Sequence, residues 1–458
     1  MRCRSGLLFT GAVALLLLAG GCREAGPPNL VLISIDSLRA DRLGCYGAER
    51  DTSPAMDRLA ADGLRFQTAV APTSWTLPSH VTLLTGLSIP AHRVAGPGRR
   101  IDTARTLLAQ HLAQLGYETA GFVSAPFLAR AYGFDRGFSV YRNFVSGTAA
   151  ALPPSLQWHR ESHADETAPQ VIGAALEWLE ERDPSTAPFF LFVHLWDVHY
   201  DYIPPEPYDT MFDPDYQGEL DVRDYSFNKT INEDLPERDL QHLRALYDGE
   251  IRWLDSQLEP LLDALRERSD SGRTLISLVS DHGDEFFEHR RKGHWRTLFE
   301  ESVRVPWILR YPGVIQPGTE IGGVVSLEDV APTLLGLLGA PPLPEATGRD
   351  LSKHVRAGRP VRRPVLLNLG KTAALRGPSW KVIADGQGGA PTYYDLERDP
   401  EELDPRPARR FAPGALRLLE HRMAVELRRA QSLPWDGSEP AELDPALREK
   451  LRQLGYVE

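Results

Sequence analysis

Asn29-Leu-Val-Leu-Ile-Ser-Ile-Asp36 is an apolar run of strand length that ends on a carboxylate. A run without polar alternation suits a strand covered on both faces, as in a parallel sheet. Two further runs have the same character. Pro188-Phe-Phe-Leu-Phe-Val-His194 is one, and Thr274-Leu-Ile-Ser-Leu-Val-Ser280, leading into Asp281-His282, is the other. Gly121-Phe-Val-Ser124 reads as a shorter strand.

Helical patterns lie between them. Ser53-Pro54 opens one, by a capping residue and a first-turn proline, with Met56, Leu59 and Leu64 on its apolar side. A second starts near Pro78. Thr103 to Leu115 is expected as a third, with Leu107, Leu108, Leu112 and Leu115 at helical spacing. Gln170 to Glu181 and the long amphipathic stretch Leu240 to Arg268 complete the set. Strands alternating with helices predict an α/β fold, a doubly wound, mainly parallel sheet flanked by helices. Around Gly339 to Pro344 the composition turns to Pro and small residues. Beyond it a smaller α+β subdomain is expected, with strands at Pro364–Asn368 and Trp380–Ile383 and an Arg-rich helix at Gly414–Arg429. The expected division is residues 29–340 for the core and 341–458 for the subdomain and helical tail.

The 458 residues, 42% hydrophobic and 25% charged, exclude disordered and fibrous classes. A net charge of −12 argues against a nucleic-acid partner, which requires a basic stripe. Residues 1–22 have the pattern of an export signal: two arginines by Arg4, an apolar run from Gly6 to Leu18, then Ala19-Gly-Gly-Cys22. Small residues before Cys22 are similar to a bacterial lipoprotein box, although Ala19 stands where Leu is usual. A lipid on Cys22 is the expected membrane tether, at the periplasm or cell surface. Cys45 is then the sole cysteine left after Cys3 and Cys22, so no disulfide is expected.

Two strands thus end in acids, Asp36 and Asp281, and ligands gather outside the carboxyl ends of strands in open α/β sheets. A strand-end Asp alone is more often a turn former or cap. Two of them with His282 make a plausible divalent-metal set. Thr73-Ser-Trp-Thr-Leu-Pro-Ser-His-Val-Thr-Leu-Leu-Thr-Gly86 places Thr76 just before a helix N-terminus, where free N–H groups favour anions. A hydroxyl beside a dication is a nucleophile for a sulfur or phosphorus centre. Tyr200 to Leu235, acidic and rich in Pro and aromatics, is the expected rim of the site.

These pieces in their order resemble the sulfatase family of the alkaline-phosphatase-like enzymes. The opening strand with Leu43-Gly-Cys-Tyr-Gly47 is similar to its N-terminal block. Thr76-Leu-Pro-Ser-His80 with Leu84-Thr-Gly86 resembles the Cys/Ser-x-Pro-Ser-Arg signature. Val193-His-Leu-Trp-Asp-Val-His199 resembles the segment that supplies an active-site histidine. Val279-Ser-Asp-His-Gly-Asp284, Gly293-His294 and Glu300–Pro306 resemble the second metal block. Leu375–Lys381 and Tyr394–Pro400 look like the family's ending.

The resemblance implies a hydrolase of sulfate or phosphate esters with one divalent metal ion, Zn²⁺, Mn²⁺ or Ca²⁺. Asp36, Thr76, Asp281 and His282 are the implied ligands, with Thr76 also the nucleophile. His199 is implied to hold the substrate's anionic oxygens or to protonate the leaving oxygen, His294 to do similar work or to complete the metal shell, and Lys292 is a weaker candidate. His80 replaces the signature Arg and is expected to orient the Thr76 hydroxyl. Thr76 cannot become formylglycine, because its β-carbon carries a methyl. Ser37 stands for the second Asp of the family's pair, and Ala120–Phe127 for its Lys-Trp-His segment. These departures lean toward phosphate, and the nitrogen ligand His282 toward Zn²⁺ or Mn²⁺. The alternatives are a phosphoethanolamine- or glycerophosphate-type transferase of the same fold and an inactive binding protein.

Overall fold

A computed structural model describes residues 26–144, 167–183, 186–386, 388–437, 440–454 and 456–457. The expected export segment and Cys22 lie outside the described residues. Among the described residues the main sheet has nine strands. Its chief members are β1 (Asn29–Ile35), β2 (Leu64–Val70), β3 (Glu118–Val123), β4 (Val140–Asn143), β5 (Phe189–Leu195), β6 (Thr274–Ser280), β7 (Trp307–Arg310) and β8 (Thr319–Ser326). Their spatial order is β8-β2-β7-β6-β1-β5-β3-β4, with Arg304–Val305 pairing on β2. All pairs along this order are parallel except those of β7, which runs antiparallel to β6 and β2. β1 lies between β5 and β6, and all three are buried at every residue.

The strand period of two sorts side chains onto two helical layers. Leu30, Leu32, Phe190 and Phe192 pack with α2 (Thr76–Thr85), α3 (Leu108–Gln114) and α6 (Val330–Leu338). Val31, Ile33, Leu191 and Val193 pack with α1 (Pro54–Ala61), α4 (Ala168–Glu181) and α5 (Glu237–Glu267). The sheet is doubly wound, mainly parallel and covered on both faces, as the alternation of strands and helices predicts.

The third helix starts at Leu108, five residues later than its leucines suggested. Side chains hold the preceding backbone in a turn: Ala104 N–H donates to Asp102 Oδ1 at 2.7 Å, and Thr103 N–H to Asp436 Oδ2 at 3.0 Å. Strands β2, β7 and β8 were not expected, and Leu64, expected on the apolar side of the first helix, opens β2 instead. β2 carries Arg65 and Gln67, β7 is four residues long, and β8 contains Gly322 and Gly323 with a register shift between Ile321 and Val324.

A second, antiparallel sheet holds β9 (Val365–Leu369), β10 (Thr372–Arg376), β11 (Trp380–Ala384), β12 (Thr392–Asp395) and Arg406–Pro407. Helix α7 (Pro413–Ser432) covers one face through Leu416 and Leu419. Val365, Leu367 and Ala374 meet Val70, Val303 and Val324 of the main body. After α8 (Pro445–Gln453), Leu454 and Tyr456 join the main core cluster. No helix among the described residues is long and apolar enough to cross a membrane.

Candidate active site

Alternation along β1 and β6 carries the α2 face onto two carboxylates. Leu30, Leu32, Ser34 and then Asp36 share that side of β1, and Leu275, Ser277, Val279 and then Asp281 share it on β6. In register Ile35 faces Ser280, so Asp36 and Asp281 leave the sheet side by side. His194 of β5 pairs with Ser34 and lies on the same side. Helix α2 lays Thr76 and His80, one turn apart, over this group.

Thr76 is the first residue of α2, after the extended Trp75, so the first-turn amides lack helical partners. Its Oγ1 lies 3.1 Å from His282 Nε2. Asp36, Thr76, Asp281 and His282 are all fully buried. Ser37, in the left-handed region at φ 56°, ties the two acids together. Its hydroxyl donates to Asp36 Oδ1 at 2.9 Å and its N–H to Asp281 Oδ1 at 3.2 Å. His282 N–H also donates to Asp281 Oδ1, at 2.9 Å.

The other oxygen of each acid is bare. Asp36 Oδ2 and Asp281 Oδ2 are buried without a hydrogen-bond partner. His194 Nε2 stands 3.5 Å from the first, and His282 Nε2 3.5 Å from the second. Burial opposes ionisation of Asp36, but the imidazoles of His194, His282 and His199 outweigh it and hold its pKa down. Burial and the neighbouring Asp36 charge push Asp281 well above the usual carboxylate range. Two unpaired buried oxygens, an imidazole nitrogen and a hydroxyl fit a divalent cation. The ligand atoms of Asp36, Asp281 and His282 all lie within 4.8 Å of one another.

His80 approaches Thr76 through its carbonyl rather than its hydroxyl. Its Nδ1–H donates to Thr76 O at 3.0 Å, and its Nε2 accepts from Ser34 Oγ at 2.9 Å. Burial holds His80 neutral. It thereby fixes the first turn of α2 to β1.

His199 and His294 stand on the outer side, with ring centroids 5.0 Å apart, and His294 lies 4.4 Å from His282. Burial lowers both, His199 to about 3 and His294 to about 4. His294 Nδ1 lies 2.7 Å from Asp284 Oδ1, and the Tyr202 hydroxyl donates to Asp284 Oδ2. His282, Asp284 and His294 also cluster closely enough to hold a cation, sharing His282 with the first group. Lys292 donates to Asn228 O at 2.7 Å and packs on Tyr225, and burial lowers it to about 8.

Three neighbours had no assigned role in the sequence reading: His194, Asp284 and Tyr456. His194 was readable from parity, since it shares the phase of Phe190 and Phe192. Asp284 stood in a quoted motif beside the ligands. Tyr456 had no local signal; it reaches His294 across 162 residues.

The Sulfatase family model matches residues 28–340 of the chain. The chain is 26% identical over 434 residues to an arylsulfatase of Clostridium perfringens, covering 82% of this chain and 89% of that one. It is 30% identical over 407 residues to human arylsulfatase A, covering 78% and 71%. Among solved structures, a phosphonate monoester hydrolase of Agrobacterium radiobacter superposes with a TM-score of 0.70 at 26% identity, over 88% of this chain and 95% of that one.

Proposed function

The chain belongs to the sulfatase family and is a hydrolase of ester bonds, and from that premise we propose that it cleaves anionic phosphate or sulfate esters with Thr76 as the nucleophile. The observation that carries this reading is the meeting of Thr76 Oγ1 with His282 beside two buried carboxylates whose Oδ2 atoms lack partners. Asp36, Asp281 and His282, with Thr76 Oγ1 as fourth ligand, would hold one divalent ion. When bound, such an ion, Zn²⁺ or Mn²⁺ by its nitrogen ligand, favours the deprotonated hydroxyl and offsets the charge of the ester.

The chain's own residues do the rest. The N-terminus of α2 faces the anionic group with its open amides. Attack forms a bond from Thr76 Oγ1 to phosphorus or sulfur as the ester bond at that atom breaks. Water then displaces Thr76 at the same centre. Thr76 carries a single oxygen on its β-carbon, so its adduct is released by displacement at the central atom. Displacement at the central atom is the ordinary course for phosphoryl groups, so we place phosphate esters ahead of sulfate esters. The 26% likeness to a phosphonate monoester hydrolase supports the same order.

The test is turnover of chromogenic aryl sulfate, phosphate monoester and phosphodiester by the Zn²⁺- or Mn²⁺-loaded protein, alongside Thr76→Ala and Asp36→Ala. Turnover of phosphodiester or monoester that both variants lose supports the proposal. Equal turnover by Thr76→Ala rejects it. We also propose export and a lipid tether on Cys22; Cys22→Ser should then move the protein from the membrane to the soluble fraction, and an unchanged distribution rejects the tether.

A further inference from the structure

A cavity of about 170 Å³ opens beside the buried centre. Thr76 is not in its lining, but His294 is. The His294 ring centroid lies 4.4 Å from that of His282, whose Nε2 is 3.1 Å from Thr76 Oγ1. One imidazole therefore separates the cavity from the reacting centre. That places the cavity for the organic group of an ester rather than for its phosphorus or sulfur.

The lining has two marks. The first is aromatic surface left open. Trp295 is 37% exposed and Phe227 is 56% exposed. Tyr225, fully buried, has a hydroxyl without a hydrogen-bond partner among the described residues. The loop before the nucleophile fixes Trp295 in place. Its backbone is in the left-handed region at φ 68°, and its N–H donates to Ser74 O at 2.7 Å. Its ring lies 5.3 Å from that of Trp75. A bulky residue in that region is strained, and its surroundings must hold it there.

The second mark is charge. Lys292 and Arg296 line the cavity, and no carboxylate among the described residues does, in a chain of net charge −12. Lys292 uses one N–H on Asn228 O, at 2.7 Å, and has two more. Arg296 is exposed and has no ion-pair partner among the described residues. Open rings beside cations fit a ring that carries a negative charge.

We propose that this cavity is the subsite for the ester's organic group and selects a ring bearing its own anionic group, with Trp295 as the stacking platform and Lys292 and Arg296 as the cations. This deepens the reading of Thr76 as nucleophile and rests on it. The second anion is distinct from the ester that Thr76 attacks.

The experiment uses the metal-loaded protein and two symmetrical chromogenic diesters, bis(nitrophenyl) phosphate and its counterpart with a carboxylate on each ring. The ratio of their kcat/KM values is compared among wild type, Lys292→Met/Arg296→Met and Thr76→Ala. Binding of phenol and of hydroxybenzoate is followed by ligand-observed NMR in these and in Trp295→Ala. The double variant should shift the ratio against the carboxylated diester by about tenfold or more, the worth of one hydrogen bond to a charged group. It should weaken hydroxybenzoate binding alike and leave phenol within twofold. Trp295→Ala should weaken both ring compounds by about threefold or more. An unchanged ratio in the double variant overturns the selection for charge. Ring binding unchanged in Trp295→Ala overturns the platform. Turnover by Thr76→Ala at the wild-type rate overturns the nucleophile instead, and the two ring compounds still decide the subsite.

Discussion

Asp36 and Asp281 leave neighbouring parallel strands side by side, each with Oδ1 hydrogen-bonded and Oδ2 buried without a partner. Burial and mutual repulsion disfavour two negative charges on such a pair until a cation lies between them. Binding of that cation to the folded state alone stabilises it, by about 2.7 kcal/mol at a hundredfold excess over Kd. Zn²⁺ or Mn²⁺ should therefore raise the thermal midpoint of the chelated protein. Asp281→Asn should abolish the rise, as scanning calorimetry with and without metal would record. A rise undiminished in Asp281→Asn would place the ion elsewhere.

His80 is a clamp between α2 and β1. Removing its ring leaves Ser34 Oγ without its partner, takes the side-chain bond from Thr76 O and opens a cavity. His80→Ala should cost about 2–4 kcal/mol by urea denaturation. A cost below about 0.5 kcal/mol, within the range of an ordinary surface change, would contradict the clamp.

Lys381 makes a buried ion cluster where the second sheet meets the main body. Its Nζ lies 2.9 Å from Glu300 Oε1, 2.9 Å from Glu402 Oε1 and 2.9 Å from Leu298 O, and its side chain is fully buried. Burial opposes its charge, but Glu300 and Glu402 raise its pKa overall. Lys381→Met leaves the buried Glu402 without its cation, while Glu300 keeps Arg376 at 2.9 Å, and should cost about 3–5 kcal/mol. Denaturant midpoints decide this, and an unchanged midpoint would show the cluster to be dispensable.

Asp255 on α5 caps the start of α1 from outside, accepting from Ala55 N–H at 2.8 Å and Met56 N–H at 2.9 Å. Burial, against those two bonds, raises its pKa from 3.8 to about 6. The folded state then binds more protons than the unfolded state between about pH 4 and pH 6. This group's contribution to stability is present below that window and falls as pH rises through it, by on the order of 2–3 kcal/mol. Asp255→Asn should flatten that part of the stability profile. A slope across the window equal to the wild-type slope would assign it to other groups.

The parts of the fold readable in the sequence are those where burial alone shapes the pattern. β1, β5 and β6 are covered on both faces and appear as unbroken apolar runs, with Asp36 and Asp281 at their ends. β2 shows Arg65 and Gln67 to solvent, and β8 is interrupted by two glycines, so neither has such a run. The start of α3 was decided by Asp102, Gln110 and the distant Asp436, which hold backbone amides that a helix leaves open. Thr76 was legible because it lies in a motif. Tyr456 was not, because its contacts with His199 and His294 depend on how a distant segment packs against Phe127.

Attack by Thr76 on the ester would leave a covalent adduct on its Oγ1. Acid quenching of the metal-loaded protein during turnover of an aryl phosphodiester, followed by peptide mass spectrometry, tests it most directly. One phosphoryl-bearing group is expected on Thr76, absent in Thr76→Ala together with turnover. Turnover by Thr76→Ala at the wild-type rate, or an adduct on another residue, would contradict it.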